Sequence, residues 1–171
     1  MADRFKKWEI GGVVWVVAAG GMLHFAYGLL GHSPVVGLLA PVNESVWEHL
    51  KLLFWPYCAF AMIELWEYGK NCTGFFTAKL LGALSGIAAI VAVFFTYFGI
   101  LGTSVLWLDI LLFAVGDALA FCVSYRALKR PCAFGRKYDF VSFLLLLLMA
   151  FMFCCFTFNP PNLGLFSECR F

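Results

Sequence analysis

Five long apolar runs dominate the chain, extending over about 8–30, 46–68, 75–99, 104–127 and 139–158. At about 20 residues per crossing, each is long enough for a helix that spans a bilayer. The runs are separated at Gly31-His32-Ser33-Pro34, Gly69-Lys70-Asn71, Gly99-Ile100-Leu101-Gly102 and Lys129-Arg130-Pro131, where glycine or proline stops a helix. The first connection, Gly31 to Ser45, is longer than the rest and is itself apolar from Val35 to Leu39. That combination predicts an interfacial or re-entrant segment. Asn159-Pro160-Pro161-Asn162 ends the last run, because proline cannot continue a helix. The pattern predicts an all-α, integral membrane helical bundle forming one transmembrane domain over residues 1–171, with about five transmembrane helices.

Composition agrees. Of 171 residues 63% are hydrophobic and only 13% charged, against about 25% charged in soluble domains. The net charge of +2 is spread over loops and marks no basic face, so the expected partner is the lipid bilayer of a cell membrane and not nucleic acid. Arg4, Lys6 and Lys7 precede the first run as in a signal peptide. The run from Trp8 to Leu30 is longer than a signal-peptide core and lacks a small-residue cleavage site, so it reads as a retained first span. Seven cysteines include no C-x-x-C, which argues against a zinc ribbon or a thioredoxin-like pair.

Lys and Arg segregate into the N-terminal tail, the second connection (Lys70, with Lys79 near the span end) and the fourth (Arg126, Lys129, Arg130, Arg136 and Lys137). The first and third connections have none, and Arg170 is the exception in the last segment. The positive-inside rule then predicts a cytoplasmic N-terminus and an extracytoplasmic C-terminus.

Within this topology the polar residues gather at one depth. His24 near the end of the first span, Glu44, Glu48, His49 and Lys51 around the start of the second, and Asp109 early in the fourth share one outer layer. Asp117 sits about two turns deeper on the same helix as Asp109. Such groups are costly inside a membrane unless they face a cavity or a partner, so these seven residues are the candidate ligand-binding set. His24, His49 and Asp109 form a candidate metal set, since open zinc sites take three N/O ligands plus water, with Glu48 as base for that water.

Plainer roles compete. Ser45-x-x-Glu48 fits a capping box, Glu44 complements the helix dipole, and Lys51 is long enough to snorkel to the headgroups. Glu64, Glu67 and Asp139 lie near inner span ends and read as interface charges. Gly82-x-x-x-Gly86 with Ala89 forms a small-residue stripe for close helix approach, and Gly20, His24 and Gly28 share a face that turns His24 inward. Such faces also suit a homo-oligomer.

The run Ser33-Pro34-Val35-Val36-Gly37 followed by Pro41-Val42-Asn43-Glu44-Ser45-Val46-Trp47-Glu48-His49-Leu50-Lys51 resembles a family of small bacterial multi-pass membrane proteins of unknown function. The likeness extends to the Gly99–Gly102 turn and the Thr157–Phe166 tail, and so covers nearly the whole chain. The resemblance implies a multi-pass membrane protein and supplies no activity. Three functions stay open: binding and translocation of a small polar ligand or ion through an outward-facing pocket, a metal-dependent intramembrane hydrolase acting on a lipid-like substrate, or a structural and assembly role. A divalent metal such as zinc is the cofactor implied by the second.

Overall fold

A computed structural model of the protein describes residues 2–130 and 136–168; Pro131 and Arg170 lie outside the described residues. The described chain is helical, with elements α1 (Ala2–Leu29), α2 (Pro34–Gly37), α3 (Val46–Glu67), α4 (Phe75–Leu101), α5 (Leu106–Leu128) and α6 (Arg136–Phe158). Among the described residues a single antiparallel bridge, Ser45 to Glu168, ties the tail back to the start of α3. Each helix of 22 or more residues is about 33 Å long or more, against a hydrocarbon core of about 30 Å.

By length and apolarity α1, α4, α5 and α6 are long and apolar enough to cross a membrane. α3, which carries Glu48, His49, Lys51, Glu64 and Glu67 together with Pro56, is less apolar and does not meet the same measure, and its environment explains why these groups are tolerated. Half of its 22 residues are buried, including Glu48, Lys51 and Glu64, whereas α6 buries only Ser142, Phe153 and Thr157. α3 is therefore the polar central helix, packed by α1, α4 and α6, while α5 packs on α1 and α4. The exposed face of α6, with Leu144, Leu145, Leu148 and Phe151, is the apolar surface that a lipid bilayer requires.

Local chemistry sets the helix ends. Ser45 is extended (φ −77°, ψ 153°) and its Oγ accepts from Glu48 N at 3.3 Å, capping α3. Only this half of the expected capping box forms: Ser45 N donates to Asn43 Oδ1 at 3.0 Å, and the Glu48 carboxylate turns elsewhere. α4 runs through Gly99 and stops at Gly102, whose φ of +74° is open to glycine and whose N–H donates to Phe98 O at 2.8 Å. Gly74, at the other end of α4, offers no capping side chain, and Asp139 of α6 supplies the acceptor, taking the Thr77 N–H at 3.0 Å. Asp139 is thus a cap lent across helices and not simply an interface charge.

The small-residue stripe is used inside the chain. A Cβ added to Gly86 would stand 2.8 Å from Gly116 O, and one added to Gly82 would stand 2.6 Å from Ala120 O, so α4 and α5 touch backbone to backbone. Gly20 plays the same part between α1 and α3, where an added Cβ would lie 2.7 Å from Leu52 O. That carbonyl is four residues before Pro56, which has no N–H to give it. Gly28, by contrast, faces open space, so only the Gly20 half of the predicted His24 face packs.

Replacing Gly86 with leucine should force α4 from α5 and cost about 1–3 kcal/mol by overpacking. Thermal unfolding in detergent followed by circular dichroism should show a lower midpoint for Gly86→Leu and none for Gly28→Leu. Equal midpoints for both variants and the wild type would contradict this packing.

Candidate functional site

The end of the bundle that carries the α1–α3 connection holds two polar groups, one closed and one open. The closed group is centred on Lys51, which is fully buried. Its Nζ donates to Glu48 Oε2 at 2.6 Å, to Gly37 O at 2.8 Å and to Ala40 O at 3.4 Å. Glu48 in turn accepts from Val42 N at 2.9 Å, and its Oε1 lies 3.2 Å from Thr157 Oγ1 of α6, whose one proton it shares with Phe153 O at 2.8 Å. Lys51 therefore does not snorkel; it points into the fold because the carbonyls of the α1–α3 connection offer it acceptors there. Glu48 Oε2 is taken up by Lys51 and Val42 N, so the carboxylate serves as the partner of the buried ammonium.

The open group lies on the other side of the Asn43–Ser45 turn. Because α3 starts only at Val46, Glu44 falls off the helical face it would share with Glu48 and Lys51. It reaches instead to His49, with Glu44 Oε2 3.3 Å from His49 Nε2. The other ring nitrogen, His49 Nδ1, is 2.9 Å from Ser45 O. A carbonyl only accepts, so Nδ1 carries the proton, and a neutral ring turns the Nε2 lone pair towards the carboxylate. The His24 ring lies 5.2 Å from that of His49, centre to centre, and His24 Nδ1 is buried without a hydrogen-bond partner. One ligand atom from each of His24, Glu44 and His49 falls within 4.8 Å of the others.

Beside this group lies a half-open pocket of about 320 Å³, lined by His24, Tyr27, Asn43 and Glu44 among others. Asp109 does not join the group: its Oδ1 accepts a hydrogen bond from Tyr97 Oη across the α4–α5 turn. Depth along the helices alone could not distinguish these two seams. Asp117 is fully buried in α5, and neither carboxylate oxygen has a hydrogen-bond partner.

The opposite, N-terminal end contains a network that the sequence pattern hides. Lys79 of α4 forms ion pairs with Glu9 of α1, at 2.9 Å, and with Glu64 of α3, all three buried. Ser124 of α5 donates to Glu9 Oε1 at 2.8 Å and Tyr68 to Glu64 Oε1 at 2.7 Å, while Tyr57 Oη donates to Lys79 O at 3.2 Å. Glu64 and Lys79 are thus core residues and not charges at a membrane interface. Glu9 lies 70 residues from Lys79 and 115 from Ser124 along the sequence. The only sequence signal was the presence of isolated charges inside apolar helices, which demands partners.

The fold and its polar core define a multi-pass helical membrane protein with a histidine–carboxylate group beside a pocket at one end. The chain belongs to DUF6512, a family of unknown function, whose family model matches residues 1–170. No curated protein and no solved structure matches the chain.

Removing the Lys51 charge should strand Glu48 in the core. Lys51→Met should lower stability by roughly 3–5 kcal/mol, the usual cost of leaving one partner of a buried pair. Adding Glu48→Gln should restore much of that. Unfolding in detergent micelles provides the check, and a single variant as stable as the wild type would refute the pinning role of Lys51.

Proposed function

We propose that the protein binds a divalent transition-metal ion through His24, Glu44 and His49, at the membrane face where the adjoining pocket admits a small polar ligand. One observation carries this reading: His49 Nε2 and Glu44 Oε2 face each other at 3.3 Å while Nδ1 is committed to Ser45 O. Two acceptors so disposed need a positive charge between or beside them. On a tetrahedral zinc with ligands at about 2.0–2.1 Å, neighbouring donor atoms stand about 3.3 Å apart. The unpartnered Nδ1 of His24 supports the same reading, since a ring nitrogen withdrawn from water needs something to bind. Ser45 O acts as the orienting partner that metal-bound histidines ordinarily have.

The donor set of two imidazoles and one carboxylate suits zinc-class ions and leaves a coordination position towards the pocket. The Lys and Arg distribution supports an extracytoplasmic placement of this site. The pocket favours a second reading, in which an ion held by these three residues would supply an activated water for hydrolysis of a ligand seated near Tyr27 and Asn43. That activity needs the same three ligands.

Elemental analysis of zinc-equilibrated, detergent-purified protein should find stoichiometric zinc in the wild type and in Asp109→Asn. His24→Ala, His49→Ala and Glu44→Gln should each reduce it strongly while leaving the helical circular dichroism unchanged. Background zinc in the wild type would mean that an imidazolium–carboxylate ion pair, and no metal, occupies this position.

A further inference from the structure

A second hollow lies towards the N-terminal end of α1, between α1 and α3, and the histidine group has no part in it. It is open, measures about 250 Å³, and is lined by Lys7, Trp8 and Gly11 of α1 and Phe60 of α3. Gly11 makes the space. A Cβ added there would meet Phe60 Cζ at 3.8 Å, an ordinary contact, whereas one added to Gly12 would come within 2.3 Å of Phe121. Gly12 thus serves helix packing and Gly11 does not; its missing side chain leaves a notch between the two helices. Trp8 walls the notch, its ring centre 6.0 Å from that of Phe60. Trp15, two turns further along the same face of α1, continues the wall. Its ring centre is 6.4 Å from that of Phe60, and its Nε1 donates to Pro56 O at 3.2 Å.

The hollow grades from charge to hydrocarbon. Lys7 is exposed and forms no ion pair among the described residues. Gly11 and Trp15 lie about 6 and 12 Å further along the helix axis, beside the exposed apolar side chains of Ile10 and Val14. The carboxylates of this end are mostly turned inwards: Glu9 and Glu64 lie on Lys79, and Asp139 accepts the Thr77 N–H. Lys6, Lys70, Arg126, Arg136 and Lys137 stay exposed at the same end, against Glu67 as the one exposed acid among the described side chains there. A surface so basic attracts anionic headgroups. Pockets that enclose a small ligand measure about 300–1,000 Å³. A smaller, open notch on an apolar helix face holds instead one part of a molecule whose remainder lies in the bilayer.

We propose that this α1–α3 hollow seats one anionic phospholipid, with its phosphate on the Lys7 ammonium and the upper part of an acyl chain laid over Gly11 between Trp8 and Phe60. The ammonium supplies a charge-assisted hydrogen bond to the phosphate. Trp8 stands where headgroup gives way to hydrocarbon, the level that tryptophan favours in a membrane. A free phosphate gains only the first of these contacts, and a zwitterionic lipid carries its own cation, which competes with Lys7. An anionic lipid gains both. Held there, it braces α1 against α3 at the end where Lys79 already joins them. The site is distant from His24 along α1 and depends on nothing in the histidine group.

Native mass spectrometry of the full-length protein in neutral detergent, with phosphatidylglycerol or phosphatidylcholine added at matched concentrations, tests this. The wild type should retain one phosphatidylglycerol in preference to phosphatidylcholine. Lys7→Gln should weaken that binding about fivefold, the effect of one lysine at a lipid headgroup. Gly11→Leu, which fills the notch and keeps Lys7, should weaken it at least as much. Lys6→Gln removes the same charge outside the hollow and should bind as the wild type does. Added inorganic phosphate should not displace the lipid. Helical circular dichroism of the lipid-free proteins should be the same throughout, which separates lost binding from a lost fold. Equal retention of the two lipids by the wild type, equal losses in Lys6→Gln and Lys7→Gln, full binding by Gly11→Leu, or displacement by phosphate would overturn the proposal.

Discussion

The ammonium of Lys51 lies wholly inside an apolar bundle, and the arrangement of one end of the molecule follows from what that charge requires. Removing an ammonium from water costs several kcal/mol unless its donors are met. Glu48 and the carbonyls of Gly37 and Ala40 meet them. Those carbonyls belong to the connection between α1 and α3, so satisfying Lys51 folds the connection back onto the bundle. Glu48 extends the same constraint to Val42 N and, through Thr157, to α6. The Asn43 turn that follows then has little freedom and delivers Glu44 to His49. The open histidine group is built on the closed ionic one.

An equivalent solution operates at the N-terminal end, where Lys79 binds carboxylates from α1 and α3 and Ser124 joins from α5. α3 contributes to both ends through Glu48, Lys51, Tyr57 and Glu64, which explains why it is too polar to pass for an independent span and yet occupies the centre. Polar contacts fix which helices meet, and the glycines of α1, α4 and α5 let them approach. Asp117, between the two ends, is the exception to this economy of partners: it alone among the buried carboxylates described has neither an ion pair nor a hydrogen bond.

Much of the fold was legible because apolar runs of this length have few alternatives, and because Ser45, Gly102 and Pro34 are strong local signals. The Gly82–Gly86 stripe and the inward turn of His24 were likewise readable from helical spacing. What spacing could not supply was the angular order of helices around the bundle. His24 and Asp109 share a depth but lie on different seams, so Asp109 meets Tyr97 while His24 meets His49. Glu44 parts from Glu48 and Lys51 for a smaller reason: α3 starts only after Ser45, so Glu44 lies outside the helix. Glu9, Glu64 and Lys79 come together across 70 residues of sequence; no local pattern announces such a contact, and charges near span ends resemble interface residues until their rotation about the helix is known.

Zinc-edge X-ray absorption on the metal-loaded, full-length protein tests most directly the account of how the connection delivers Glu44 to the two histidines. It should show imidazole scattering from two rings and a carboxylate oxygen, with metal–ligand distances of about 2.0–2.2 Å. A shell at about 2.3 Å, the signature of cysteine sulfur, or scattering from fewer than two imidazoles, would contradict it.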